Sequence, residues 1–181
     1  DVVIGQFEIP QAVTAAAFEV AKIKGAITIL NPAPAAPIEP RLLETADWIV
    51  PNEVEFGMMS GRTDPDDAAL LEVAGRQGRR LVVTLGPTGS ALVDGSGVVH
   101  RVPAPEVVAA DTTGAGDAFV GAFAYALASG FDELTALRLA HLCAAETVTK
   151  PGTQSSLPSP ARRVNSCWPC TFEKLDWTSS V

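Results

Sequence analysis

Val108-Ala109-Ala110-Asp111-Thr112-Thr113-Gly114-Ala115-Gly116-Asp117-Ala118-Phe119 is the stretch around which the rest of the chain is organised. A short apolar run leads into Asp111, a turn of small residues comes next, and an apolar helix is expected to open at about Asp117. Gly114 and Gly116 have no side chain, so the backbone there can take positive φ and approach a ligand closely. Gly130 is placed to stop the helix. A glycine turn feeding a helix N-terminus aims free amide donors and the positive dipole end at one spot, which suits an anion. A carboxylate at that spot, Asp117, can take the proton of a hydroxyl that attacks a phosphoryl group. Taken alone, a Gly-x-Gly-Asp run is more often just an acidic helix start after a flexible loop.

Composition bounds the rest. The chain has 181 residues, 47% of them hydrophobic and 19% charged, enough for one domain with a sizeable core. A net charge of −8 argues against a nucleic acid or an anionic membrane as partner. It leaves a nucleotide open, because phosphates are held by local amide groups rather than by net charge. The apolar run over 118–128 is too short to span a bilayer, and no basic region or cleavage site opens the chain. Three cysteines make no disulfide framework, and a cytoplasmic location is the expectation. The first residue is Asp1, and residues 1–8 already read as an internal strand, so sequence is expected to have been lost before it.

Outward from the central stretch, the pattern is α/β. Val2, Val3, Ile4 and Phe7 form a β-rich run ending near Glu8, Pro10 opens a helical period that lasts to Gly25, and residues 27–30 read as a buried parallel strand. Strand, helix, strand implies a largely parallel sheet covered on both faces. Asn31-Pro32-Ala33-Pro34-Ala35 is then a stiff connector at a strand's C-terminal end, the edge where such sheets carry ligands. Residues 48–51 read as the next strand, and Asn52 with Glu55 three residues on has the spacing of a capping box. Asp64-Pro65-Asp66-Asp67 opens a helix through roughly Arg76 with a solvated acidic start. Residues 81–85 are the clearest strand, ending in Gly86-Pro87-Thr88-Gly89, and 91–93 with 98–102 form a hairpin through Asp94-Gly95-Ser96-Gly97. Residues 131–149 make a second long helix, with a polar loop after it over 150–156. On residue type alone, His141 and Cys143 are packing residues and His100 a surface residue, while Glu8 reads either as a carboxylate that hydrogen-bonds sugar hydroxyls or as an ordinary exposed loop residue. Residues 161–181 have no period and are expected to be disordered. Their Cys167-x-x-Cys170 pair has neither a second pair for zinc nor a thioredoxin-like setting.

The run DTTGAGDAFVGAF, residues 111–123, resembles the C-terminal signature of the ribokinase family, the phosphofructokinase-B-type carbohydrate kinases. The resemblance covers roughly residues 1–158, so a nucleotide and phosphoryl-transfer domain is expected over 1–160 and an atypical tail over 161–181. It implies a ribokinase-like three-layer sandwich with a mostly parallel central sheet, the family's N-terminal strands and lid being absent. It further implies an ATP-dependent sugar kinase, and the Asn31–Ala35 run favours a pentose. By resemblance, Asp117 is the catalytic base, and Gly114, Ala115 and Gly116 form the anion hole for the γ-phosphate. Asn52 lies near the phosphates and Glu55 acts on Mg²⁺ through water; Thr84, Gly86 and Gly89 run along the nucleotide, and His141 contacts it. Glu8 matches a residue that contacts ribose. A potassium site is implied from Asp111, the carbonyls of Thr113, Thr147, Lys150 and Gly152, and Ser156. Sugar and ATP are the implied partners, with a homodimer for the full-length family form. Two alternatives stand beside this reading. One is another kinase of the family, acting on a nucleoside, a fructose phosphate or a deoxy-sugar acid. The other is a nucleotide-binding fragment without turnover, whose missing strands leave an apolar sheet edge exposed.

Overall fold

Short apolar runs with no polar face cannot sit at a surface, and the chain buries them side by side. In the computed structural model, which describes residues 1–158, β1 (Val2–Gly5), β2 (Ile27–Leu30), β3 (Trp48–Ile49) and β4 (Arg80–Thr84) pair in parallel. β5 (Ser90–Val93) and β6 (Val99–Val102) then continue the sheet antiparallel, in the order β1-β2-β3-β4-β5-β6. The expected tail, with Cys167 and Cys170, lies outside the described residues.

Strand order decides the layers. Successive parallel strands that step in one direction through right-handed crossovers put every connecting helix on the same face. That face carries α1 (Gln11–Ile23), α2 (Pro40–Thr45), α3 (Glu53–Ser60) and α4 (Asp67–Gln77). The opposite face must be covered by elements C-terminal to the sheet, and α5 (Ala115–Ala128) with α6 (Glu133–Val148) cover it. The two-residue period of a strand sorts the core accordingly. Leu30, Ile49, Leu81 and Val83 pack with Phe18, Leu42, Phe56 and Leu70 on the first face. Ile29, Trp48, Val82 and Leu92 pack with Phe119, Phe123 and Leu137 on the second. Trp48 meets Phe123 edge-on at 5.1 Å, which fastens α5 to the middle of the sheet.

Three elements differ from the sequence reading. β1 stops at Gly5 rather than near Glu8, and α1 packs so closely there that a Cβ at Gly5 would lie 2.2 Å from Thr14 Cγ2. Helix α1 thus crosses directly over the strand end, and the chain peels away at Gln6. Helix α5 begins at Ala115 rather than at about Asp117, because Gly114, at φ +80°, is its N-cap. This brings Gly116 and Asp117 into the first turn. Helix α2 is an addition to the expected elements; its signal is Pro40 at the first helical position. β1 pairs with β2 alone among the described residues, and Ile4, Val13, Val20 and Ile23 are exposed. No helix among the described residues is long and apolar enough to cross a membrane.

Candidate active site

The C-terminal ends of β1 to β4 and the N-terminus of α5 enclose a cleft of about 150 Å³. Each strand end delivers a polar side chain: Gln6 after β1, Asn31 after β2, Asn52 and Glu55 after β3, and Thr84 from β4. Helix α5 delivers Gly114, Gly116 and Asp117. Asn52 and Thr84 extend the β3–β4 pairing by one further parallel bridge, which holds that corner of the cleft at fixed width.

Asn52 and Glu55 form the capping box that their spacing predicts. Asn52 Oδ1 accepts from Glu55 N–H at 2.9 Å, while Glu55 Oε2 accepts from Asn52 N–H at 2.8 Å and Oε1 from Asn52 Nδ2 at 3.0 Å. Glu55 is 5% exposed, and burial raises its pKa against the lowering effect of the Asn52 hydrogen bonds. Glu55 is thus a buried carboxylate on the cleft wall, both of its oxygens bonded to Asn52. No group of three or more His, Cys, Asp or Glu side chains placed to hold a metal ion on their own exists among the described residues. Such a site fits Mg²⁺, which keeps much of its water and needs only one or two carboxylates alongside substrate phosphates.

At the start of α5, no side chain caps the helix, and Ala115 N–H donates to Thr112 O at 3.3 Å. Gly116 and Asp117 N–H are first-turn donors without an intrahelical acceptor, and both residues line the cleft at the positive end of the helix dipole. The exposed Asp117 carboxylate accepts from Gln6 Nε2 at 3.2 Å.

The two loops of the expected potassium site come together. Ala110 and Asp111 N–H donate to Val148 O at 2.7 and 3.2 Å, and Asp111 Oδ2 accepts from Gly152 N–H at 3.1 Å. Hydrogen bonds from Thr113, then Gly152, hold the Asp111 carboxyl below its ordinary value. Lys150 N–H donates to the Thr147 carbonyl at 3.2 Å, and the buried Ser156 turns its hydroxyl to Thr153 O at 2.6 Å. Asp111 is thus a carboxylate fixed by backbone amides of both loops.

Other expected residues are not brought to the cleft. Glu8 is exposed beyond it, and Gln6 occupies the strand-end position that Glu8 was expected to take. Gly86 and Gly89 shape the turn after β4 at φ +53° and +113°, but only Thr84 of that segment lines the cleft. His141 is a core residue. It is 5% exposed, its Nε2 lies 2.8 Å from Ser90 Oγ, and its ring meets Phe119 edge-on at 5.0 Å.

Burial pulls the His141 pKa down to about 4 from an ordinary 6.5, so the unfolded chain binds this proton more readily than the folded one. Stability from this group is fully present above about pH 6.5 and is lost as pH falls toward 4. Urea unfolding should show about 2 kcal/mol less stability at pH 5 than at pH 7 from this group. The slope should flatten in His141→Gln; an unchanged slope would exclude His141 as its source.

Residues 3–160 match the family described as pfkB family carbohydrate kinase. The chain belongs to that family. Among curated relatives of this kinase family, it is 36% identical to the ribokinase of Staphylococcus aureus over 163 residues, 87% of this chain and 53% of the relative. It is equally, 36%, identical to the deoxyribokinase of Salmonella typhi, over 87% of this chain and 53% of that protein. Arabidopsis thaliana ribokinase, whose structure holds ribose and ATP, superposes with a TM-score of 0.83 at 30% identity, over 91% of this chain and 55% of that one. The mostly parallel six-stranded sheet is thus the ribokinase-like fold. The chain spans about half the length of the curated relatives it matches.

Proposed function

We propose that this chain carries the phosphoryl-transfer centre of an ATP-dependent sugar kinase with a pentose, D-ribose, as acceptor. The observation that carries the reading is the convergence of Asp117, Glu55 and the free first-turn amides of α5 on one cleft. ATP would supply the phosphoryl group, and Glu55 would be the carboxylate to hold a Mg²⁺ ion, which would lower the negative charge of the phosphates. Asp117 accepts the proton of the sugar's primary hydroxyl as that oxygen attacks phosphorus. Gly116 and Asp117 N–H stabilise the charge on the transferring group, a role for which the helix start is already oriented. Asn52 and Thr84 border the phosphates. A potassium ion between Asp111 and the 147–156 loop would fix the 112–116 turn and thereby the amides. Because the chain is 36% identical to a deoxyribokinase as well as to a ribokinase, 2-deoxy-D-ribose is the second acceptor to consider.

The test is ADP release by the 181-residue chain from Mg-ATP, with D-ribose or 2-deoxy-D-ribose, in potassium and then in sodium. Ribose-dependent release that is faster in potassium supports the full reading. Release with deoxyribose alone reassigns the sugar. Binding of Mg-ATP without sugar-dependent release supports a nucleotide-binding half whose acceptor site lies elsewhere.

A further inference from the structure

Gln6 and Asn31 enter none of the roles above, yet both line the cleft and one of them touches Asp117. Their hydrogen bonds form a chain whose direction is set by the backbone. Asn31 is 9% exposed, and its Nδ2 donates to the Val50 carbonyl at 2.8 Å. A carbonyl can only accept, so Asn31 must turn its amide nitrogen to Val50 and its Oδ1 the other way. That Oδ1 accepts from Gln6 Nε2 at 2.7 Å, which fixes the Gln6 amide in turn. The same Nε2 donates to Asp117 Oδ1 at 3.2 Å, and an ionised carboxylate can only accept. Every link has one allowed orientation.

The backbone that carries Gln6 is also held. Phe7 N–H donates to Ala33 O at 2.8 Å, Asn31 N–H donates to Gly5 O at 2.9 Å, and the Gly5 position leaves no room for a Cβ beneath α1. Asp117, by contrast, is exposed, and Gln6 is the side chain bonded to its carboxylate among the described residues. An exposed Asp without such a partner samples several χ angles.

We propose that Gln6, aimed by Asn31, is a positioning residue for Asp117. It holds Oδ1 and leaves Oδ2 as the oxygen that meets the incoming hydroxyl. The proposal rests on the reading of Asp117 as the proton acceptor. A near-attack geometry tolerates little misplacement, so loss of the Gln6 amide acts on turnover rather than on nucleotide binding.

The first test needs no turnover. In a ¹⁵N-labelled chain, the Gln6 side-chain NH₂ pair should sit away from free-amide positions and move toward them in Asp117→Ala. Asn31→Ala should release the same pair and shift the ¹³C signal of the Asp117 carboxylate. A Gln6 pair at free-amide positions, or one indifferent to Asp117→Ala, overturns the proposal. The second test is kinetic. Gln6→Met, which keeps length and loses both donors, should lower kcat about tenfold with KM for Mg-ATP within about twofold and an unchanged thermal midpoint. In the Asp117→Asn background it should have no further effect, because both changes act through one carboxylate. A fall in Tm that accounts for the lost activity, or a full additional loss in the double variant, contradicts positioning. Full turnover in Asp117→Asn itself would instead remove the proton-acceptor reading, leaving the NMR coupling to decide the Gln6 link alone.

Discussion

Asp117→Asn should lower sugar-dependent ADP release about 10²–10⁴-fold while Mg-ATP binding and the thermal midpoint stay close to those of the parent chain. Asparagine keeps the shape of the side chain and an acceptor oxygen for Gln6 Nε2, but it cannot take a proton. The group is exposed, so its charge contributes little to folding, and the loss should appear in kcat. The lower end of the range corresponds to a loose transition state, in which the attacking hydroxyl loses its proton late. The upper end corresponds to early proton transfer. A coupled ADP assay beside a binding titration separates the two quantities. Retention of more than a tenth of the parent rate would leave the α5 amides and Glu55 as the catalytic elements and Asp117 as an ordinary first-turn carboxylate.

Gly89→Ala should be the most destabilising single methyl addition in the molecule, costing about 3 kcal/mol or more. Two independent causes coincide there. Gly89 sits at φ +113°, which an L side chain rarely adopts, and its added Cβ would lie 2.0 Å from Val102 O and 2.8 Å from Pro103 Cα. Those are backbone atoms of the neighbouring strand end, so no rotamer change relieves the contact. Gly25→Ala is the control: its φ is +73°, but nothing lies within 4 Å of the added methyl, so only the conformational term applies, about 1 kcal/mol. Urea midpoints for the two variants should differ clearly, and near-equal values would mean that the β5–β6 hairpin yields without cost. Because Leu85 N–H donates to Gly89 O at 2.8 Å, the displacement should also reach Thr84 and weaken nucleotide binding.

The parts of this molecule that are legible in the sequence are those whose cause is local. The β1–α1–β2 unit comes from a change of hydrophobic period, and the Asn52–Glu55 cap from a three-residue spacing that lets each side chain reach the other's amide. The glycine turn before α5 comes from residue type. The helix start lies two residues before its expected place, because Gly114 reads equally as loop or cap until its φ is known. The remaining features depend on contacts between distant residues. Gln6 meets Asn31 across 25 positions and Asp117 across 111, so no spacing could reveal the pair. His141 looks the same in sequence whether it faces a nucleotide or the core. The deciding fact is that α6 turns this position inward against Ser90 and Phe119. Glu8 lies outside the cleft lining, and Gln6, two residues earlier, lines it instead.

That the cleft at the start of α5 holds the phosphates of a nucleotide is tested most directly by titrating a ¹⁵N-labelled chain with Mg-ADP. Amide signals of Gly116, Asp117, Asn52, Glu55 and Thr84 should shift together with one saturation curve. The groove lined by Arg79, Arg80 and Asp94, at the other end of the strands, should stay silent. Saturating shifts confined to that groove, or none at Gly116 and Asp117 in a chain shown to be folded, would contradict the assignment.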